Sequence, residues 1–275
     1  MTSLASVASR LPRSFVFSLA AASLFAAAPA LAQQAVKKPS LDVPYVPTPP
    51  EVVARMLEMA EVGPNDYVID LGSGDGRIAI AAAKVRGARA FGVDIDPERI
   101  QEAQANAKAA GVDNKVQFRQ QDLFKTPIGE ASVLTMYLLS QINIDLRPRI
   151  LDEMKPGSRV VSHAFDMDDW NPDQRDSVNG RSVFLWIVPA KVHGRWRMQD
   201  AERAVTLTFN QEFQRIAGTA EINGRTVPLR EARLNGAEIT FIIDGENGGK
   251  PYRGRVEGGS IAPLEGGAWR ATRAS

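Results

Sequence analysis

Three glycines at alternate positions, Gly72, Gly74 and Gly76, are interleaved with two acids that could do chemistry, Asp70 and Asp75. Val68-Ile69-Asp70-Leu71 leads into them, and Ile78 with a run of alanines follows. The pattern reads as a buried strand, a tight turn and the start of a helix. Glycine in such a turn lets the chain bend sharply and lets a ligand come close, because no Cβ intervenes. A dinucleotide site would need G-x-G-x-x-G, with the pyrophosphate on the helix N-terminus. Here the third glycine comes one residue early, and Asp70 and Asp75 place negative charge beside the loop. That setting is poor for phosphate and suits a cationic ligand without one.

S-adenosylmethionine, a sulfonium that also carries an α-amino group, meets that description. Two further acids follow the next apolar run, Ala90-Phe91-Gly92-Val93. Asp96 precedes Pro97, the pattern of a helix N-cap followed by a first-turn proline, so capping explains it. Asp94 has no such explanation. It stands at the carboxyl end of a strand, where open α/β sheets bind ligands, and an acid there suits ribose hydroxyls.

The run Asp70-Leu71-Gly72-Ser73-Gly74-Asp75-Gly76-Arg77 resembles the first motif of the class I, seven-stranded S-adenosylmethionine-dependent methyltransferases. Tyr45-Val46-Pro47-Thr48-Pro49, the stretch from Val68 to Ile80, and Arg159-Val160-Val161-Ser162-His163 are similar to one branch of them. That branch holds protein-lysine methyltransferases acting on the ATP synthase c subunit and the adenine nucleotide translocase. The resemblance runs from about Pro44 to Met198. It implies a Rossmann-like sheet and a cofactor contact set of Asp70, Gly72, Ser73, Gly74, Asp75, Gly76, Asp94, Ile95, Asp122 and Leu123. Within that set Asp122 would accept from the adenine amino group while Leu123 or a neighbour packs on the ring; the alternative for Asp122 is a solvated loop acid. It also implies a methyl acceptor, with a protein lysine as the leading class.

Methyl transfer from a sulfonium is an in-line displacement with a good leaving group, so alignment matters most. A lysine acceptor must lose its proton first, which an apolar cleft promotes. No strong general base is required. Tyr137 and His163, at the ends of the fourth and fifth strands, are the catalytic candidates. Each has a plainer alternative, Tyr137 in lining the channel and His163 in packing or hydrogen bonding. The Asn-Pro-Pro-Tyr motif of amide and base methyltransferases is absent where Met136-Tyr137-Leu138-Leu139-Ser140 stands. That argues against a nucleic-acid partner.

The elements that must hold these residues follow in order. Thr48-Pro49-Pro50-Glu51 has the form of a capping box ahead of a helix with Val52, Val53, Met56, Leu57 and Ala60 on one face. Tyr45 to Thr48 is either a rigid lead-in to that helix or a cover for the cofactor. Helices are expected over Ile78–Val85, from Pro97 to Ala110, and over Ser140–Met154, the last interrupted or restarted at Pro148. Strands are expected at Val116–Phe118, Val133–Tyr137 and Arg159–His163. Repeated strand and helix predict a parallel sheet with helices on its faces. Asp166 to Gly180, with five aspartates, reads as a surface loop. Val183–Val188 and Gly194–Met198 read as the sheet's closing hairpin. From residue 201 onward apolar and polar residues alternate, and Asn223-Gly224 and Asn235-Gly236 are hairpin signals. This predicts a small all-β unit of five or six strands, either a barrel or a half-sandwich, docked on the first domain.

The domain boundaries expected are a signal peptide over 1–32, a linker and entry segment over 33–50, a methyltransferase domain over 51–200 and a β-rich domain over 201–275. The first rests on Arg10 and Arg13, an apolar run from Ser14 to Ala28, and Ala30-Leu31-Ala32 as a cleavage site. The alternative, an uncleaved anchor, is disfavoured by the short run, which Ser18 and Ser23 interrupt and Pro29 ends. Cleavage removes two arginines and no acid. The net charge of +1 becomes −1, 31 basic against 32 acidic residues, which advertises no polyanion-binding surface. The chain lacks cysteine, which excludes disulfides and thiolate metal sites, and no metal site is expected. Export, to the periplasm or the medium, conflicts with the cytosolic supply of S-adenosylmethionine. A second reading is therefore an exported binding or envelope-associated protein on a methyltransferase scaffold, with recognition by the β-rich domain. A nicotinamide-dependent enzyme is a third, disfavoured by the glycine spacing.

Overall fold

The computed structural model describes residues 45–200, 203–244 and 249–274. The expected signal peptide and most of the expected linker lie outside the described residues. Helix α1 (Pro50–Met59) leads into a doubly wound unit of β1 (Tyr67–Leu71), α2 (Arg77–Arg86), β2 (Arg89–Asp94), α3 (Pro97–Ala109), β3 (Val116–Gln120), β4 (Val133–Met136), α4 (Ser140–Glu153), β5 (Arg159–His163), β6 (Gln174–Val178) and β7 (Arg181–Ile187). The seven strands form one sheet in the order β3-β2-β1-β4-β5-β7-β6. β1 to β5 run parallel, and β7 runs antiparallel to β5. Alternate residues send their side chains to opposite faces. Val68, Ala90, Val116, Val133 and Val161 pack with α1, α2 and α3, while Ile69, Leu71, Leu134, Met136 and Val160 pack with α4.

Eight antiparallel strands follow: β8 (Gly194–Asp200), β9 (Arg203–Glu212), β10 (Arg215–Ile222), β11 (Arg225–Asn235), β12 (Glu238–Ile243), β13 (Lys250–Glu257), β14 (Ser260–Pro263) and β15 (Trp269–Arg273). Each pairs with the next, and β15 pairs back onto β8, which closes a barrel. Its interior is filled by Trp196, Leu207, Phe209, Ile239, Phe241, Tyr252 and Trp269. Sheet and barrel lie within one compact unit.

Four expectations change. Gly194–Met198 closes the barrel and not the sheet, so the all-β unit begins before residue 201 and has eight strands. The sheet's hairpin is β6–β7, built from part of the stretch expected to be loop. Its turn is Asn179-Gly180, both in the left-handed region (φ 51° and 77°), as a type I′ hairpin requires. Pro148 does not break α4. Leu146 and Ile150 are fully buried on either side of it, and that burial offsets the hydrogen bond proline cannot make. Finally, the N-cap of α1 is Pro49, with no side-chain cap. The Thr48 hydroxyl goes elsewhere, as described next.

Candidate active site

The glycine turn between β1 and α2 is held from the neighbouring strand. Gly72 and Ser73 donate their backbone N–H groups to the Val93 carbonyl, at 2.9 and 2.8 Å. Gly74 donates to Asp94 Oδ2 at 2.9 Å, and Asp96 N donates to Asp94 Oδ1 at 2.9 Å. Asp94 therefore ties the glycine turn to the β2–α3 turn, beyond the open ligand role its sequence position suggested. Asp96 caps α3 as expected, accepting from Glu98 N at 2.9 Å. Gly74 lies at φ 53°. A Cβ there would come within 2.5 Å of the Tyr45 ring, so glycine is required both by conformation and by close approach.

This turn and the carboxyl ends of β2 and β4 border a cavity of about 270 Å³. Of the expected cofactor residues, Gly72, Ser73, Gly74, Asp75, Asp94, Ile95, Asp122 and Leu123 line it, and so does Tyr137. Asp70, Gly76 and His163 do not. Asp70 is buried beneath the turn, where Thr135 Oγ1 donates to its Oδ1 at 2.7 Å. Burial, together with the nearby Asp94 and Asp75, raises its carboxyl to about 7 against the opposing Thr135 bond. Gly76 serves packing: a Cβ there would meet the Phe118 ring at 2.5 Å. His163 is buried behind Tyr137, their ring centroids 3.9 Å apart, with Nδ1 3.2 Å from Thr48 Oγ1. Burial and then the Arg181 charge lower it to about 4, so it is a neutral ring at pH 7. Tyr137 thus remains as the catalytic candidate that faces the cavity, and His163 supports it from behind.

The acids beside the turn are less exposed as charges than their sequence suggests. Arg77 grips Asp75 with Nε at 3.0 Å and Nη2 at 2.6 Å, and its Nη1 reaches the Thr48 carbonyl at 2.8 Å. Burial raises the Asp75 carboxyl, but Arg77 outweighs it and the net shift is downward. Asp122 accepts from Phe124 N at 2.9 Å and pairs with Lys125 at 3.2 Å. Its carboxylate closes a local cap, while its segment, Gln121 to Phe124, supplies the wall.

Residues that motif reasoning left open or missed complete the enclosure. Tyr45, Val46, Pro47 and Thr48 line the cavity, which decides between a mere lead-in and a cover in favour of a cover. Arg99 lies 4.8 Å over the Tyr45 ring. Leu138, Leu139 and Phe165 form the other side, and Phe165 stacks on Tyr137 with centroids 6.1 Å apart. Only pairing of β4 and β5 brings Tyr137 and Phe165 together, so no local spacing could reveal it. Ser73 Oγ is buried on the cavity wall with no partner in the protein. An orphaned hydroxyl is costly unless a ligand or water satisfies it. With Asp94 and the close glycine backbone it fits a polar ligand of the S-adenosylmethionine kind.

A Saccharolobus islandicus protein-lysine N-methyltransferase is 46% identical over 151 residues, 53% of this chain and 94% of that one. This chain belongs to the class I S-adenosylmethionine-dependent methyltransferases. Within them the ANTKMT methyltransferase domain matches residues 70–174 of this methyltransferase, a stretch that ends at the first residue of β6. A Mus musculus adenine nucleotide translocase lysine N-methyltransferase is 32% identical over 132 residues, 48% of this chain and 57% of that one. A crystal structure described as an RNA methyltransferase from Salinibacter ruber, in complex with S-adenosylhomocysteine, is 50% identical. It covers 54% of this chain and 96% of that one with a TM-score of 0.53. The cofactor expectation holds: this enzyme uses S-adenosylmethionine.

Proposed function

We propose that this chain is an exported protein-lysine N-methyltransferase whose cofactor lies in the cavity between the glycine turn and the Tyr45–Thr48 strap. Asp94 accepts from the ribose hydroxyls with the lone pairs its two backbone donors leave free. Gly72 to Gly74 give close backbone approach, Ser73 Oγ finds its partner in the ligand, and the Ile95 and Gln121–Phe124 walls enclose the base. S-adenosylmethionine supplies an activated methyl group on a sulfonium. The protein's part is to align it and to desolvate the acceptor amine. Tyr137, Leu138, Leu139 and Phe165 make an apolar and aromatic wall that favours the neutral amine, and no charged base is needed to draw off the proton at that wall. The observation that carries the lysine reading is the 46% identity to a protein-lysine N-methyltransferase across 94% of its length.

A specific observation favours a second reading, RNA as acceptor, because the 50% identical Salinibacter ruber structure is described as an RNA methyltransferase. One assay separates them. The protein is incubated with methyl-labelled S-adenosylmethionine and an extract of its own cells, and the product is split between protease and ribonuclease. Label that survives ribonuclease and elutes as methyl-lysine supports the lysine reading; label lost to ribonuclease overturns it.

Export is supported by Arg10, Arg13, the apolar run and Ala30-Leu31-Ala32. Among the described residues no helix is long and apolar enough to cross a membrane. Protein recovered from its native host should start near Gln33 by intact mass. A retained Met1 in a cytosolic fraction would overturn export.

A further inference from the structure

We infer that the barrel is a working part of the methyl-transfer site, its β9–β10 turn setting the place of Phe165 on the cavity wall through Phe213 and Gln214. This rests on the cavity being where methyl transfer occurs.

Phe165 belongs to an irregular segment between β5 and β6. The segment turns at Ala164 (φ 66°) and Asp168 (φ 57°), left-handed positions that side-chain-bearing residues keep only when the surroundings impose them. One end is held by β5 and α4: Ser162 Oγ and Asn143 Nδ2 donate to the Phe165 carbonyl at 2.6 and 3.1 Å. The other end is held by the barrel and by β7, where Trp186 Nε1 donates to the Trp170 carbonyl at 2.7 Å. Trp170 is fully buried, its Nε1 donates to Gln214 Oε1 at 3.0 Å, and its ring stacks on Phe213 with centroids 5.8 Å apart. Gln214 Nε2 donates in turn to the Asn171 carbonyl at 2.7 Å.

The turn itself is built to present these groups. Phe213 adopts φ 53°, and Gln211 Nε2 fixes its carbonyl at 2.8 Å. Arg147 on α4 joins the two sides, donating to the Met167 carbonyl at 2.8 Å while lying over the Phe213 ring at 5.4 Å. Only a short stretch of chain joins Phe165 to Trp170. Release at Gln214 and Phe213 therefore leaves Trp170 held by Trp186 alone and loosens the wall on its barrel side, while the glycine turn after β1 and Asp94 on β2 keep all their own contacts.

The test compares wild type, a Phe213→Ala/Gln214→Ala variant, Phe165→Ala, and all three changes together. S-adenosylhomocysteine affinity is read by calorimetry. Methyl transfer to the cell extract is read at saturating S-adenosylmethionine. The barrel variant should bind S-adenosylhomocysteine within about twofold of wild type yet transfer methyl about tenfold more slowly. The combined variant should be no slower than Phe165→Ala alone, because residues acting through one another are not additive. Hydrogen exchange should quicken over residues 164–172 and not over β1 and α2. A barrel variant that melts earlier but transfers methyl at the wild-type rate, or one whose defect multiplies with that of Phe165→Ala, overturns the inference. Wild-type protein that fails to bind S-adenosylhomocysteine sinks the reading of the cavity and this inference with it.

Discussion

The sheet and the barrel handle buried polarity in opposite ways. Of eleven buried polar or charged side chains among the described residues, ten lie in the sheet half and one, Asp200, in the barrel. Those of the sheet include Asp70, Ser73, Thr135, Ser162 and His163, on strands or turns that meet the cavity edge. Burying such groups costs stability unless each finds a partner, and Ser73 Oγ and Asn143 Oδ1 lack one. The barrel instead packs Phe209, Phe241, Tyr252 and Trp269 against one another, mostly edge to face, with centroids 5.3 to 6.1 Å apart. Its single buried acid is satisfied, accepting from the Tyr252 hydroxyl at 2.7 Å and from Lys250 Nζ at 2.8 Å. One region carries buried polar groups without a protein partner, of which Ser73 Oγ faces the cavity. The other is a filled core that supports it.

Substitutions can break that contrast. The largest effect is expected from Gly74→Val, which sets a β-branched residue at φ 53° and pushes Tyr45 off the turn. Strain of ~3 kcal/mol should be lost from stability in urea melts, and S-adenosylhomocysteine affinity, measured by calorimetry, should fall because Tyr45 no longer closes on the turn. Asp94→Ala comes next. It removes two backbone bonds to a charged group, so about 3 kcal/mol of stability should go, along with about tenfold to a hundredfold in affinity. Asp96→Ala should cost only about 1 kcal/mol as a cap is lost, with binding little changed. Urea melts and a titration separate the two acids; if Asp96→Ala abolishes binding while Asp94→Ala preserves it, the assignment is inverted.

The third effect is a pH slope. Asp70 is raised to about 7 in the fold from an ordinary 3.8, so the native state holds a proton that the unfolded chain releases. Its contribution is full below about 4 and is lost as pH rises towards 7. His163 acts in the opposite sense. Lowered to about 4 from 6.5, it favours the fold above 6.5, and that contribution is lost as pH falls. Urea melts of Asp70→Asn should therefore gain on wild type as pH rises from 4 to 7, and an unchanged difference would show that Asp70 does not titrate in this way. The smallest effect belongs to the barrel: Tyr252→Phe should cost about 1 kcal/mol and leave S-adenosylhomocysteine binding intact. Weakened binding there would mean that the barrel interior is coupled to the cofactor site.

Much of this was legible in short stretches. The glycine turn, the cap at Asp96, the strand-end place of Asp94 and the alternation after residue 201 each depend on neighbours within a few positions. Asn179-Gly180 was equally legible as a hairpin signal, but the aspartates around it read as loop. The charge at the turn was not legible in this way, since Asp75 is gripped by Arg77 and Asp70 is buried under Thr135.

The sequence by itself determined the local geometry, because φ preferences, apolar period and capping act over a handful of residues. Tertiary structure alone decided which ends meet. It closed the barrel by pairing Gly194–Asp200 with Trp269–Arg273, set Thr48 against His163 across 115 positions, and brought the β9–β10 turn against Trp170. Such contacts follow from strand order and from the burial of large side chains, which compare all possible partners at once and leave no trace in the spacing of neighbours.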